Sequence, residues 1–364
     1  MSTPVVLSLC MIVRDSARTL RACLASIAPW VDEIIIVDTG SLDETIEIAK
    51  EFGAKILHFP WIKDFSAARN VSLANATGKW LFWMDSDDTI DAENGRKLRE
   101  LAYTEHPAHV LGFVMQVHCL TKNHAWTGDV TAVDHVKLVR NHPEIRFERR
   151  IHEQLLAAIK RLNGIWQFTD IFVVHSGSDT SAEGRARKTE RDLELLELEY
   201  ADNPRDPFTL FNLGMTYNDI EEHAKAQRYL RECIEVSDPN DSTYAKTHAF
   251  LASSLCASEQ FEEALSVCER GLAFDPQDPE LNFRQGIIQH QLGQLSEAVK
   301  SYRDSMHLPR NRSLKSVEIG IGDYLSRHNL AAVYSEMGRD DLAELEYRRI
   351  IADRPNYRPA FPLL

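Results

Sequence analysis

Apolar runs alternate with helical patterns along the first half of the chain. Four apolar runs predict strands, at residues 5–13, 33–37, 55–59 and 80–84. The stretches between them carry apolar residues at helical spacing and predict helices at 16–28, 43–52 and 64–76. Strands and helices of this length in alternation predict a parallel sheet with helices on both faces.

Beyond residue 105 the pattern loosens. Three further strands are predicted at residues 110–117, 134–140 and 170–175. A polar loop from residue 121 to 131 joins the first two of these strands and carries one tryptophan, Trp126. In one interpretation this loop covers an acceptor site, and in the other Trp126 is a packing residue.

The second half of the chain repeats itself. A small residue recurs four times with an alanine twelve residues after it, in the pairs Gly214 and Ala226, Ala252 and Ala264, Gly286 and Ala298, and Ala331 and Ala343. This period predicts helix-turn-helix units of about 34 residues, the tetratricopeptide (TPR) repeat, in which small residues let paired helices approach closely. The charged stretch 181–203 before them predicts a connecting helix.

Polar side chains stand after three of the predicted strands. Arg14 and Asp15 come after the first strand, Asp38 after the second, and the acidic run Asp85–Asp88 after the fourth. Because right-handed βαβ units bring strand ends to one edge of a sheet, we expect these residues to converge where ligands bind. There Asp38 could accept hydrogen bonds from a base or a ribose.

The acidic run has two interpretations. Carboxylates packed this closely repel one another, and a hard divalent cation on a diphosphate would relieve that repulsion. The alternative is an aspartate-rich turn that leads into a helix N-terminus, where aspartate is favoured. The glycine-rich dinucleotide and P-loop fingerprints are both absent from the sequence, so neither NAD nor ATP in a Walker site is indicated.

Four segments together resemble the nucleotide-sugar glycosyltransferases of family 2. They are LSLCMIVRD, DEIIIVDTGSLDET, FSAARNVSLANATGKWLFWMDSDD and FERRIHEQL, and the resemblance covers roughly residues 5–180. Its most specific parts are VDTGS, the AARN helix and DSDD in this order and spacing. The resemblance implies an α/β GT-A (Rossmann-like) nucleotide-sugar domain, a UDP-sugar or similar donor, and usually an inverting transfer.

The resemblance also implies which residues contact the donor and the metal. By motif match, Asp85 and Asp87 form the metal-binding DxD pair, with Mn²⁺ or Mg²⁺ as the ion. Arg69 faces the donor side in this interpretation and is an exposed helix arginine in the other. The residues expected to contact the UDP-sugar are Val13, Arg14, Asp38, Arg69, Asn70, Asp85 and Ser86.

Two more residues complete the predicted site. In related transferases a segment like RIHE occupies the acceptor-side catalytic loop, and an inverting transfer needs a carboxylate to take the acceptor proton. Glu153 is therefore the expected general base; alternatively it opens the next helix, where a first-turn glutamate is favoured. His175, just past a strand end, is either a third metal ligand or a packed or surface histidine. Imidazole with carboxylates suits Mn²⁺ better than Mg²⁺.

Composition and charge narrow the class of protein. A hydrophobic content of 44% and a charged content of 26% are those of an ordinary globular protein. Six cysteines with no CxxC pattern indicate neither a disulfide framework nor a zinc site, and no apolar run is long enough for a membrane span. With no signal-peptide pattern, a cytoplasmic location is expected. Residues 181–364 hold 22 Lys and Arg against 32 Asp and Glu, which argues against nucleic acid and indicates a solvated surface or a basic partner.

The sequence thus predicts a metal-dependent, inverting, hexosyltransferase-type glycosyltransferase. Its transferase domain would span residues 1–180, a connecting helix 181–203, and a TPR domain of about four repeats 204–364. The TPR domain would bind a peptide, protein or saccharide acceptor, or form a homodimer. The alternatives are a non-catalytic TPR scaffold with a degenerate transferase domain, and a sugar nucleotidyltransferase. The second would need a glycine-rich phosphate loop where Arg14–Arg18 stands.

Overall fold

The computed structural model divides into two compact units. Residues up to 120 together with 132–195 form the first unit, and residues 196–364 belong to the second. The residues described are 4–120, 130–177, 181–239, 241, 243–307, 316–318, 320–355 and 357. The polar loop predicted to cover an acceptor site, with Trp126, lies outside them over residues 121–129.

The described strands of the first unit join in one sheet. They are β1 (Leu7–Val13), β2 (Glu33–Asp38), β3 (Lys55–His58), β4 (Trp80–Trp83), β5 (Asp88–Thr89), β6 (Val110–Leu120), β7 (Val130–Arg140) and β8 (Ile165–His175). Their order across the sheet is β3-β2-β1-β4-β7-β6-β8-β5. The four predicted apolar runs are therefore the four neighbouring strands at one end of the sheet.

The sheet is mixed, whereas the strand and helix alternation predicted a parallel one. The β1 strand is parallel to β2 and β4, and β2 is parallel to β3. The β7 strand runs antiparallel to β4, and β5 runs antiparallel to β8. Parallel neighbours need a crossover connection, which the first four strands have in the helices between them. The sheet is therefore parallel over the part that forms the predicted donor edge.

Helices pack around this sheet in the first unit. They are α1 (Ala17–Ile27), a short 3₁₀ helix (Ala28–Trp30), α2 (Thr45–Glu51), α3 (Phe65–Asn75), α4 (Ala92–Tyr103) and α5 (Leu156–Arg161). The helix predicted at 16–28 has its apolar stripe, Leu20, Leu24 and Ile27, fully buried. Asp64 caps α3 by accepting a hydrogen bond from the Ala67 N–H at 2.9 Å. This cap fixes the start of the helix that carries part of the site.

The second unit is built from helix pairs. A long helix, α6 (Ala182–Asp202), precedes α7 (Pro207–Asp219), α8 (His223–Val236), α9 (Tyr244–Ala257), α10 (Phe261–Phe274), α11 (Pro279–Gln291), α12 (Leu295–His307), a short strand β9 (Ser316–Glu318), α13 (Tyr324–Glu336) and α14 (Asp340–Asp353). A Cβ added at Gly214 would lie 2.5 Å from Leu230 Cγ, and one at Gly286 would lie 2.7 Å from the Tyr302 ring. The recurring small residues are thus the points where paired helices touch.

Two further findings concern the whole described chain. Among the described residues, no helix combines the length and the apolar character needed to span a membrane. All six cysteines are free, and four of them are buried. The prediction of no disulfide framework agrees with this.

Candidate active site

The ends of three parallel strands meet at one edge of the sheet. Ser86, just after β4, donates a hydrogen bond to Ser16 Oγ at 2.9 Å, and Asp15, just after β1, donates its N–H to Ser41 Oγ at 3.0 Å. Asp15 has a φ of +46°, so the chain turns sharply where it leaves β1. Val13 is buried at the end of that strand, and the neighbouring Arg14 is exposed. The predicted convergence of these strand ends is present.

Asp38 shapes the turn after β2. Its buried carboxylate accepts the N–H of Gly40 at 3.2 Å and that of Ser41 at 3.1 Å. Gly40 has a φ of +107°, a conformation that favours glycine. The exposed ring of His58 lies beside Asp38, with 3.5 Å between Nδ1 and Oδ2. The VDTG sequence therefore folds into a turn around its own aspartate at this edge of the sheet.

The acidic turn, Asp85–Asp88, lies beside His175 at the end of β8. His175 Nδ1 is 2.9 Å from Asp88 Oδ1 and 3.5 Å from Asp87 Oδ1. Among the residues that the structure describes, Asp85, Asp88 and His175 form a group able to hold a metal ion, with ligand atoms within 4.8 Å of one another. The structure thus brings the predicted Asp85 and His175 together, and adds Asp88 to them.

Asp88 is the member of this group that the sequence pattern did not single out. It is fully buried, and its Oδ2 accepts hydrogen bonds from Lys137 Nζ at 3.0 Å and from the Asp85 N–H at 3.1 Å. Lys137 is also buried and lies 3.7 Å from the centre of the Trp83 ring. A lysine inside the apolar strand segment Val136–Val139 is the sequence signal for a buried negative partner.

The charges around the acidic turn shift its pKa values in opposite directions. Burial tends to raise the pKa of Asp85, but the Arg69 and Lys137 cations outweigh it and hold that pKa well below its usual range. Burial raises the pKa of Asp87, and the neighbouring Asp85 and Asp88 carboxylates raise it further. The hydrogen bond to Asp88 raises the pKa of His175.

Arg69 is a buried cation that joins the acidic turn to Glu153. Its Nη2 donates to Asp85 Oδ1 at 2.5 Å, and its Nε donates to a Glu153 carboxylate oxygen. The guanidinium lies 4.7 Å from the centre of the Trp83 ring. Its Nη1 is buried with no hydrogen-bond partner among the described residues. Arg69 therefore connects the predicted metal side and the predicted base, and it is not an exposed helix arginine.

Helix α3 also holds the segment that carries Glu153. The Asn70 amide donates to the Phe147 carbonyl at 2.9 Å and accepts the Phe147 N–H at 2.8 Å. The segment then forms a narrow loop in which Glu148 and Gln154 exchange two backbone hydrogen bonds of 3.1 Å. Asn70 thus anchors the loop, because its side chain is bonded to backbone in this segment.

The net charge of the site matches a divalent cation. The acidic turn and Glu153 contribute four carboxylates, of which those of Asp88 and Glu153 are largely buried. Arg69 and Lys137 contribute two positive charges. With His175 neutral, as a metal ligand must be, two negative charges are left over in a largely buried site, which is costly without a counter-ion. Oxygen donors with one imidazole fit Mn²⁺, and Mg²⁺ less well.

The comparison with known families agrees with this geometry. Residues 8–154, which contain nearly all of β1 to β7 and Glu153, match the family model described as glycosyl transferase family 2. The first unit is a family 2 glycosyltransferase domain. In the second unit, residues 209–240 and 247–280 match tetratricopeptide repeat models. The resemblance predicted from VDTGS, AARN and DSDD is confirmed, as is the repeat character of the second half.

Curated relatives match more than half of this chain. A TPR repeat-containing protein of Synechococcus elongatus is 36% identical over 238 residues, which are 64% of this chain and 57% of that protein. The SPbeta prophage-derived glycosyltransferase SunS of Bacillus subtilis is 27% identical over 228 residues, 62% of this chain and 52% of SunS. The matched part thus spans somewhat over half the length of these relatives.

Solved structures also match, over a smaller share of the chain. The crystal structure of MamA covers 48% of this chain and 94% of its own, at 17% identity and a TM-score of 0.39. The structure of YrrB, described as a TPR protein with an unusual peptide-binding site, covers 49% of this chain and 84% of its own, at 16% identity and a TM-score of 0.38.

Proposed function

We propose that this protein transfers a sugar from a nucleotide-sugar, most simply a UDP-sugar, to an acceptor with inversion at the anomeric carbon. One observation carries the proposal. In a family 2 glycosyltransferase domain, a candidate metal group at the sheet edge is joined to a loop carboxylate, Glu153, through the buried Arg69. The residues expected to bind the donor and the residue expected to activate the acceptor are thus linked by ion pairs through Arg69.

Asp85, Asp88 and His175 would hold the divalent cation, Mn²⁺ or Mg²⁺. When bound, the ion neutralises the donor diphosphate and stabilises it as a leaving group. Asp87 lies beside the group, 3.5 Å from His175 Nδ1, and would complete the DxD pair of the sequence prediction. The buried Lys137 fixes Asp88, so that this carboxylate cannot turn away from the site.

The remaining strand ends would hold the nucleoside. Asp38, Val13 and Arg14 lie at the ends of β2 and β1, and Ser86 bridges from β4 to the turn after β1. Asp38 accepts two backbone N–H groups, which fix the orientation of its carboxylate, and it would accept a hydrogen bond from a base or a ribose hydroxyl. The exposed Arg14 would contact a phosphate.

Glu153 would take the proton from the acceptor nucleophile. Its partner Arg69 holds the carboxylate in one orientation. Because the same guanidinium also binds Asp85, a change in the position of Asp85 would alter how Arg69 holds the Glu153 carboxylate. Arg69 acts as a positioning residue in this mechanism, and Glu153 as the catalytic one.

The acceptor would be a peptide or protein, and the repeat unit would bind it. Stacked TPR helices present an extended surface that suits a peptide. The support for a peptide acceptor is this repeat architecture. A saccharide acceptor and a homodimer through the repeats are the competing roles for that unit.

Six free cysteines suit a reducing compartment such as the cytoplasm.

A melting-temperature screen tests the proposal. The full chain is heated with a panel of nucleotide-sugars and Mn²⁺, and a bound donor at 100 times its Kd is expected to add about 2.7 kcal/mol of stability. Five of the six tryptophans belong to the first unit, so tryptophan fluorescence reports mainly the transferase domain. Stabilisation by one nucleotide-sugar, followed by release of its nucleoside diphosphate, supports the proposal. No stabilisation by any member would contradict it.

A further inference from the structure

An open cavity that is rich in arginine lies between the last helices of the second unit. The cavity has a volume of about 410 Å³ and lies between α12, α13 and α14. Both polar and apolar side chains line it: Arg303, Met306, Arg327, Leu330, Glu346 and Arg349. A volume of this size lies in the range of small-molecule sites.

Buried partners hold the three guanidinium groups in place. The Glu346 carboxylate is buried and accepts hydrogen bonds from Arg327 Nη1 at 3.0 Å and from Arg349 Nη1 at 2.7 Å. The buried Tyr334 hydroxyl accepts one from Arg303 Nη2 at 2.6 Å. A guanidinium carries five N–H donors, so a group held through some of them can still donate to a ligand. The arginines are therefore preorganised.

The charge of the cavity differs from that of the repeats before it. Residues 204–299 hold 7 Lys and Arg against 16 Asp and Glu, whereas residues 300–364 hold 11 against 9. The cavity lining carries three positive charges and one negative charge. Asp323 also accepts a hydrogen bond from Arg327 Nε, at 3.3 Å, and is partly exposed. The three arginines that line the cavity thus come one each from α12, α13 and α14, in an otherwise acidic unit.

We infer that this cavity binds the phosphate group of a small organic phosphate. A carboxylate carries one charge on two oxygens, whereas a phosphate monoester carries nearly two charges and offers three oxygens to three arginines. The three guanidinium groups outnumber the Glu346 and Asp323 carboxylates beside them, so the site keeps a net positive charge for an anion. Met306 and Leu330 form an apolar wall beside the arginines and leave room for the group that the phosphate esterifies. The site is independent of sugar transfer, because it uses residues of the second unit alone.

Calorimetric titration of the full chain tests this assignment. Inorganic phosphate, glycerol 3-phosphate and acetate are titrated at equal ionic strength with EDTA present, which removes metal-dependent binding at the transferase domain. The test variants are Arg349→Gln and the double variant Arg303→Gln with Arg349→Gln. Arg348→Gln is the matched control, because Arg348 neighbours Arg349 on α14 but pairs with Glu344 and does not line the cavity.

The assignment predicts saturable binding of both phosphates and at least roughly tenfold weaker binding of acetate. Loss of one charged hydrogen-bond donor should weaken phosphate binding by roughly tenfold in Arg349→Gln, and by more in the double variant. Arg348→Gln should bind like the wild type, and glycerol 3-phosphate should bind more tightly than inorganic phosphate. Equal affinity of Arg349→Gln and the wild type, or of acetate and phosphate, would overturn the phosphate site. If inorganic phosphate bound as tightly as glycerol 3-phosphate, the assignment of an organic phosphate as the ligand would be wrong.

Discussion

In the transferase domain, buried cationic side chains lie in direct contact with carboxylates, where little water can reach them. Arg69 and Lys137 are buried and each meets a carboxylate of the acidic turn. Breaking a buried pair leaves one charge uncompensated and is strongly destabilising. Each activity measurement on a variant of this set therefore needs a stability measurement beside it. Tryptophan fluorescence supplies it, because all six tryptophans belong to the first half of the chain.

The Glu153→Gln variant should separate the base from donor binding. Glutamine keeps the shape and a hydrogen bond to Arg69 but cannot take a proton, so kcat should fall by about 10²–10⁴. Nucleotide affinity should stay near that of the wild type, because Asp85 and His175 are untouched. Steady-state kinetics and nucleotide titration measure the two quantities. Full activity in this variant would move the general base to another carboxylate.

His135 gives the transferase domain a defined response to acid. Burial, and after it the neighbouring Lys137 cation, lower the pKa of His135 from 6.5 to about 4. An unfolded chain binds this proton below pH 6.5 while the folded one does not, so stability is lost as the pH falls from 6.5 towards 4. His135→Gln should flatten that loss. Urea midpoints followed by tryptophan fluorescence at about pH 7 and pH 5 measure it, and an unchanged pH dependence would rule out this origin.

For single residues, the sequence predicted which side chains form the candidate site better than it predicted which of them are in contact. Asp85 and His175 could be proposed because each stands after a strand, and strand ends share an edge. Asp88 and its partner Lys137 are 49 positions apart, and only the antiparallel placement of β7 beside β4 brings them together. Arg69 and Glu153 are 84 positions apart. Pairings of this kind depend on topology that the local pattern does not contain.

At the scale of elements, α3 supports the loop that carries Glu153. It contributes Ser66, Arg69 and Asn70 to hydrogen bonds with the 147–153 segment. Arg149 and His152 in that segment have φ values of +84° and +52°, conformations that cost energy for residues other than glycine. The hydrogen bonds from α3 stabilise this strained loop and hold Glu153 in place.

Asn70→Ala should loosen the loop without altering the donor side. It removes both side-chain hydrogen bonds to Phe147, so kcat should fall by roughly tenfold while nucleotide affinity is kept. Asn75→Ala is the control on the same helix, because the Asn75 amide donates to the Val71 carbonyl within α3. Kinetics and nucleotide titration on both variants decide the matter. A loss of nucleotide affinity in Asn70→Ala equal to its loss of kcat would place Asn70 at the donor.

Gly286→Ala should destabilise the repeat unit alone. The new Cβ would lie 2.7 Å from the Tyr302 ring, and overpacking of this kind costs about 1–3 kcal/mol. Far-UV circular dichroism should show an earlier helical transition, while the tryptophan transition of the transferase domain stays in place. Gly322→Ala is the control, because its Cβ would meet only the Ser305 carbonyl, at 3.8 Å. Equal effects of the two variants would contradict the close-approach argument.

The elements themselves were largely predictable from the sequence. The first four strands are continuous apolar runs, which is the pattern of strands buried on both faces. The start of β8 was predicted at residue 170, yet the strand begins at Ile165. Its first residues alternate between exposed and half-buried positions and lack an apolar run, so the periodicity signal began late.

At the scale of the whole molecule, the two units differ in charge and in their expected tasks. The residues expected to bind the donor belong to the transferase domain, and residues 204–299 of the repeats carry 7 Lys and Arg against 16 Asp and Glu. A basic acceptor would be attracted to such a surface, and screening weakens that attraction as salt rises. Leu195, in helix α6, still belongs to the first unit, so a shortened chain should end at residue 202 and not at 180.

The KM for a basic acceptor peptide should rise as salt increases from about 0.1 to 0.5 M in the full chain. In a chain of residues 1–202, acceptor KM should be higher throughout and nearly independent of salt, while nucleotide binding persists. Initial-rate kinetics on both chains measure this. An acceptor KM unchanged by the truncation would give the repeats a role other than acceptor binding, such as dimerisation.

The central claim is that a metal at the acidic turn and His175 binds the donor diphosphate. Titration calorimetry of UDP into the full chain, once with Mn²⁺ and once with EDTA, tests it most directly. The account predicts that UDP binds at least roughly tenfold more tightly with Mn²⁺, and that this difference disappears in Asp87→Ala and His175→Gln while both variants keep the wild-type tryptophan unfolding transition. UDP affinity that is the same with Mn²⁺ and with EDTA in the wild-type protein would contradict it.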